Sequence, residues 1–368
     1  MSEKKLTYAG SGVNYDAMDP FKKLCQKAAI TTAPNLKRYG LVEVPASRGE
    51  SCYLMEAPDF FLGHVEEGLG TKNLIADAMF ANVDKTYYDN IAQDTVAMIV
   101  NDLITVGALP FSVAMHLAVA DSQWFECQKR VDDLIKGWVN ACRLARCTWS
   151  GGETPMLKDV ILPGAAMLGG SAVGVIGNKA NLIKGDIEPG DLIVIIYSNG
   201  VHANGLTLCR KIAGNLADGY LTKLPNGRTY GATLLDPTHI YVPIVAECQR
   251  EKIKIKYAVN VTGHGWRKLM RHSGNFSYII EDIPIPGPIF DFIQKNGPVD
   301  DQEAYGNLNM GAGFALYVRP EDAPKVFKIA RQQGMDALVA GHIEASPTKK
   351  VVIQPKNITF EAESMDIR

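Results

Sequence analysis

The sequence has no CxxC pair among its seven cysteines (25, 52, 127, 142, 147, 209 and 248), and their odd number excludes a complete intramolecular disulfide framework. They read as reduced thiols. Cys142 and Cys147, five apart across RLAR, lack zinc spacing and read as buried structural cysteines. No GxxxxGK[ST] segment occurs, which excludes a Walker-type phosphate loop. No apolar run approaches the roughly 20 residues that a bilayer span needs, and MSEKKLTYAGSG has no signal-peptide core. A cytoplasmic chain with no membrane partner is expected. An excess of either charge is missing too: 38 Lys and Arg stand against 40 Asp and Glu, leaving no long-range field for nucleic acid. Any phosphate must be gripped locally.

What is present is a globular composition, 46% apolar and 21% charged, over 368 residues, enough for two domains. Periodicity predicts a helix over residues 17–29, a strand over 52–62, then the glycine-rich EEGLGTK and a helix through LIADAMFA. Residues 90–106 are apolar on almost every face, which predicts a buried helix ended by Gly107 and Pro110. A strand over 111–119, a long amphipathic helix over 122–144 and a second glycine-rich strand exit, TWSGGETP, follow. NLIKGDIEPGDLIVIIYS turns at Pro189-Gly190 into a continuous apolar strand and opens a second domain near residue 175. That strand ends in NGVHANG, before the helix LTLCRKIAGNL. GFALYVRPEDAPKVFKIARQQGMDALVAGHI reads strand, helix, strand, and beyond Pro347 the tail is polar and without strong pattern.

The informative polar groups sit in the apolar helix. Asp94 and Asn101, seven residues apart, project from nearly one face two turns apart, with Asp102 beside them. An unpartnered buried carboxylate costs several kcal/mol, so Asp94 must meet a cation, donors or water. A capping or salt-bridge role is the bland alternative, and it suits Asp94 better than Asp102. In EEGLGTK, Gly68 and Gly70 let the backbone approach a ligand while Thr71 and Lys72 favour an anion at the helix start; a plain turn is the default for so short a motif. Glu67, Glu153 behind Gly151 and Gly152, and the Asp94 and Asp102 pair add oxygen ligands of the kind that suit Mg²⁺ and nucleotide phosphates. His202, between Gly200 and Gly205 at a strand exit, is a candidate acid, base or phosphate donor, although a lone loop histidine is more often just exposed.

In order, EEGLGTK, QDTVAMIVNDLITVGALP, SGGETPML, GDLIVIIYSNGVHANGLTLCRKI, PTHIYV and NLNMGAGFALYVRPEDA, after the opening TYAGSGVNYDA, make the chain resemble the phosphoribosylformylglycinamidine cyclo-ligase family to about residue 345. The resemblance implies an α/β (α+β) protein with mixed sheets flanked by helices in each of two domains. These are an N-terminal ATP-binding and dimerisation domain over 1–174 and a C-terminal domain over 175–345, with a tail over 346–368. It implies a homodimer that uses ATP and Mg²⁺ to close the ring of formylglycinamidine ribonucleotide, giving aminoimidazole ribonucleotide, ADP and phosphate. The implied roles are Lys72 on phosphates; Glu67, Asp94 and Glu153 on metal; Gly68, Gly70, Thr71, Asn101, Asp102, Gly151 and Gly152 around the nucleotide; and His202, Asp94 and Lys72 in catalysis. Asn204, Thr262, Gly263, His264 and Asn309 are implied to contact the nucleotide substrate.

The chain departs from that pattern in places. The family's GGFGG is replaced by RYGLVEVPASRGE, its ITGGGLxENxPR becomes VTGHGWRKLMR, and the arginine of MYRTFN is Gly306. These departures fall on the substrate half, where a protonated His264, Arg267 or Lys268 could substitute for main-chain amides in holding phosphate. Two alternatives therefore stand beside ring closure: an ATP-using relative acting on a different substrate, and a catalytically weak paralogue kept for nucleotide binding or assembly.

Overall fold

The computed structural model describes residues 15–365, so most of the TYAGSGVNYDA motif lies outside the described residues. The first half of the chain runs α1 (Tyr15–Ile30), β1 (Val42–Glu43), β2 (Tyr53–Glu56), β3 (Phe61–Gly68), α2 (Lys72–Phe80), α3 (Tyr88–Leu103), β4 (Leu109–Val119), α4 (Gln128–Leu144), β5 (Thr148–Glu153) and β6 (Ala166–Ile176). Its sheet has the order β1-β2-β3-β6-β4-β5. Alternation along β3 and β6 turns Phe61, Val65, Leu168 and Ala172 onto α3, which is apolar all round because α4 covers its other side. The opposite face of the sheet, with Leu62, His64, Val173 and Val175, is half-buried to exposed.

The second half runs β7 (Leu192–Tyr197), α5 (Leu206–Asn215), α6 (Tyr230–Leu234), α7 (Val242–Arg250), β8 (Tyr257–Asn260), β9 (Phe276–Ile280), α8 (Pro288–Asn296), α9 (Asp301–Asn307), β10 (Ala312–Val318), α10 (Ala323–Gln332), β11 (Ala337–Ala345), β12 (Lys350–Ile353) and β13 (Ile358–Glu361). The sheet order is β13-β12-β9-β11-β7-β10-β8. The expected strand, helix, strand unit is β10-α10-β11. Both strands pair antiparallel with β7, which lies between them.

Three expectations change. The strand over 52–62 is a hairpin: Pro58 and Asp59 make a turn closed by Ala57 N–H donating to Phe60 O at 2.9 Å, giving β2 and β3. The helix over 122–144 is broken at Cys127, because Asp121 caps a short 3-10 turn over Ser122–Glu126 and Cys127 takes a non-helical conformation. The patternless tail contributes β12 and β13, whose Val351, Ile353, Ile358 and Phe360 are buried. Four-residue strands are too short for their alternation to stand out. Among the described residues, no helix is long and apolar enough to cross a membrane.

Candidate functional site

Helix α3 brings its polar residues to the boundary between the two sheets. Lys72, fully buried at the start of α2, meets Asp94 Oδ1 at 2.9 Å and Oδ2 at 2.8 Å, and donates to the Asp236 carbonyl at 2.8 Å. Thr238 gives Asp94 Oδ1 two more bonds, from its amide at 2.8 Å and its hydroxyl at 2.5 Å. Two turns on, Asn101 accepts from Tyr241 N–H at 2.9 Å and donates to the His239 carbonyl at 2.8 Å. The common face expected for Asp94 and Asn101 is therefore real, and it grips the segment PTHIY. Lys72 and Asp94, expected at phosphate and metal, are paired with each other inside the protein, where each charge offsets the other's burial.

A second cluster lies where β3 and β8 end. Asn260 Nδ2 donates to Asp102 Oδ1 at 2.7 Å. Lys268 reaches back to Asn260 O at 3.3 Å and to Thr262 Oγ1, and so holds the turn that contains Gly263 and His264. Burial, with the Asp102 charge, pushes the Glu67 carboxyl up to about 7. Burial pulls the Lys268 ammonium down to about 8, against the attraction of Asp102 and Glu67. Arg271 lies in the same field and is held by Ser51 Oγ at 2.9 Å and Gly49 O at 2.6 Å. The replaced segment RYGLVEVPASRGE thus supports this arginine.

Neither histidine can bring a positive charge near neutral pH. His202 is buried in the left-handed region (φ 58°), its Nε2 is 3.0 Å from Asn199 Oδ1, and burial with His239 and Lys72 holds it well below its ordinary value. Burial, with Arg267, Lys268, Lys22 and Arg271 nearby, pushes His264 down to about 3, which removes the expected imidazolium. Arg267 does not face a phosphate either. It donates to the Gly306 carbonyl from Nε at 2.9 Å, to Asn307 Oδ1 at 3.0 Å and to Ser364 O at 3.2 Å.

Gly68 and Gly70 (φ 78°) lie exposed at the β3 exit, with Thr71 half-buried beside them. Asn204 is half-buried, with Nδ2 3.8 Å from Met98 Sδ. Asn309 ties the strand ends together: it accepts from Ser198 Oγ and Gly311 N–H at 3.0 Å each and donates to Gly200 O at 2.9 Å. Gly151, Gly152 and Glu153 lie exposed on the edge strand β5. The register row through Gly68, Gly169, His116 and Glu153 puts the end of β3 three strand spacings from Glu153, roughly 14 Å. Glu67 and Glu153 of one chain cannot share an ion across that distance, and Asp94 is committed to Lys72. Among the described residues, no three His, Cys, Asp or Glu side chains converge as a metal shell. Glu67, Asp94 and Glu153 of one chain therefore do not converge on a common magnesium position.

Sequence reasoning missed Thr238 and Asn260. Thr238 lies within PTHIYV, and Asn260 is a lone amide in the otherwise apolar strand YAVN. Both signals were visible, but neither names its partner 144 or 158 residues away.

Residues 69–176 match the family AIR synthase related protein, N-terminal domain, and residues 188–354 match AIR synthase related protein, C-terminal domain. The phosphoribosylformylglycinamidine cyclo-ligase of Methanocaldococcus jannaschii is 34% identical over 92% of each chain. That of Carboxydothermus hydrogenoformans is 32% identical over 95% of this chain and 99% of its own. In fold, the chain is similar to T. maritima PurL complexed with ADP (TM-score 0.56, 15% identity, 85% of this chain), of which it spans 45%. It is also similar to AaThiL complexed with AMPPCP and TMP (TM-score 0.56, 14% identity, 83% of this chain and 88% of that one). Both domains match in order and identity above 30% extends over nearly the whole chain, so this protein belongs to the phosphoribosylformylglycinamidine cyclo-ligase family of AIR synthase related proteins.

Proposed function

We propose that this chain catalyses ATP-dependent closure of formylglycinamidine ribonucleotide to aminoimidazole ribonucleotide, a ligase step of purine synthesis. The observation that carries the reading is similarity to relatives of that name over 92% of both chains. ATP would transfer its γ-phosphoryl group to the formyl-amide oxygen. An amidine nitrogen would then attack the activated carbon and expel phosphate, closing the ring. Such transfer depends chiefly on positioning and charge compensation.

The cluster at the ends of β3 and β8 suits the ribonucleotide. Lys268 and Arg271 supply positive charge, Glu67 and Asp102 supply acceptors, and neutral His264 offers one donor or acceptor. The loop Gly68 to Thr71, exposed at its two glycines, suits the phosphates of ATP through main-chain amides. A homodimer is part of the proposal: Met167, on the same face of the first sheet as Val173, is more than 40% exposed, as is Phe111 of β4, and α1 leaves Phe21 and Leu24 more exposed still.

Incubating the purified chain with saturating ribonucleotide and ATP should give aminoimidazole ribonucleotide, ADP and phosphate in equal amounts. His264→Gly should then change KM for the ribonucleotide much more than KM for ATP. The reshaped turn at His264 and the Arg267 contact to Gly306 favour one competing reading, action on a different substrate. ATP turnover without aminoimidazole ribonucleotide at saturating substrate would establish that reading in place of ring closure.

A further inference from the structure

Helix α4 ends in paired bonds that bring two cysteines together. Cys147 N–H donates to the Cys142 carbonyl at 3.0 Å, Arg146 N–H donates to Arg143 O at 3.1 Å, and Arg146 takes φ 55°. These six-to-one and five-to-two bonds around a left-handed residue form a Schellman motif, which folds the side chain after the turn against the one three residues before the helix end. Glycine is the usual left-handed residue at that point, and an apolar pair usually makes the contact; here Arg146 and two thiols take those places. The turn sets the two thiols against each other, and their mutual interaction raises Cys142 and lowers Cys147. Cys142 is buried and Cys147 half-buried, so solvent meets the more acidic sulfur first.

We propose that Cys142 and Cys147 are a reversible dithiol–disulfide pair that exchanges with a low-molecular-weight disulfide such as glutathione disulfide. The Cys147 thiolate attacks one sulfur of the incoming disulfide, forming a mixed disulfide and releasing one glutathione thiolate, which takes a proton. The Cys142 thiol then gives its proton to solvent, and its sulfur attacks Cys147 Sγ. The Cys142–Cys147 bond forms, the mixed disulfide breaks and a second glutathione leaves. The two cysteines lose two electrons, and the incoming disulfide gains them. The other described cysteines have no such neighbour. Cys52, Cys209 and Cys248 are buried singly, and burial pushes each thiol up to about 12.

The pair is chemically independent of the proposed ring closure, and its test needs no turnover. The intact, reduced protein is equilibrated with glutathione disulfide in excess over glutathione, its fold is checked by near-ultraviolet circular dichroism, and free thiols are then alkylated at low pH. Trypsin cuts after Arg143 and Arg146. Peptides 137–143 and 147–158 should therefore be recovered as one linked species, lighter than their sum by two hydrogens and separated by dithiothreitol. Cys142→Ser should instead retain glutathione on Cys147, and Cys147→Ser should leave Cys142 unmodified. Wild-type protein that keeps glutathione on Cys147 beside an alkylated Cys142, or that leaves both cysteines alkylated, would overturn the proposal.

Discussion

At the scale of single residues, the Lys72 and Asp94 pair sets the local energetics. Both charges are fully buried, so their attraction must offset two desolvation costs, and removing one partner leaves the other uncompensated. Asp94→Asn should destabilise the fold by about 3–5 kcal/mol, read as a lower urea midpoint at an unchanged slope. Lys72→Met with Asp94→Leu should lose much less than the sum of the two single changes. Glu67 gives a pH signature. Its carboxyl is raised in the folded state, so its contribution is complete below the ordinary carboxylate value and is lost as pH rises through about 7. Glu67→Gln has no such loss. Relative to the parent protein, its stability should gain about 1–2 kcal/mol between about pH 5 and pH 8, measured by thermal unfolding at each pH.

At the scale of elements, the turn after β8 is held from both sides. His264 and Gly265 both have positive φ, and a Cβ on Gly265 would stand 2.3 Å from the Tyr305 carbonyl. Gly265→Ala should therefore cost about 2 kcal/mol or more, by combining left-handed strain with a backbone clash. It should raise KM for the ribonucleotide more than for ATP, measured by steady-state kinetics on the folded fraction. Helix α3 was legible from its apolar run, and the shared face of Asp94 and Asn101 from a seven-residue spacing. The hairpin in 52–62 was not, because its Pro58-Asp59 turn interrupts the apolar run for only a few residues. Nor was the commitment of Lys72, since glycine-rich EEGLGTK has the same local composition whether its lysine faces phosphate or a carboxylate.

At the scale of the whole molecule, the two sheets are joined through α3. Asp94 and Asn101 hold 238–241, Gln93 donates to the Thr238 carbonyl at 2.9 Å, and Asp102 accepts from Asn260. Disturbing one domain's polar residues should therefore be felt in the other as a single cooperative transition. The half-exposed face of the first sheet gives the assembly prediction. Val173 sits on that face between His64 of β3 and Ser112 of β4, and an aspartate there would place a charge in the proposed contact. Light scattering should report twice the 40.1 kDa chain mass for the parent and about one chain mass for Val173→Asp. A parent protein of one chain mass at micromolar concentration would refute the dimer.

The sequence by itself determined the buried helix and the glycine-bounded strand exits, because periodicity and turn composition are local, while the class of fold and the family were legible through the resemblance of its ordered motifs. Only the tertiary structure decided which charges meet. Asp94 lies 22 residues from Lys72 and 144 from Thr238, and Lys268 enters the field of Asp102 and Glu67 only when β3, α3 and β8 converge. Burial then fixes what those groups can do. It makes His202 and His264 neutral, and it commits Lys72 and Asp94 to each other and to residues 236–238.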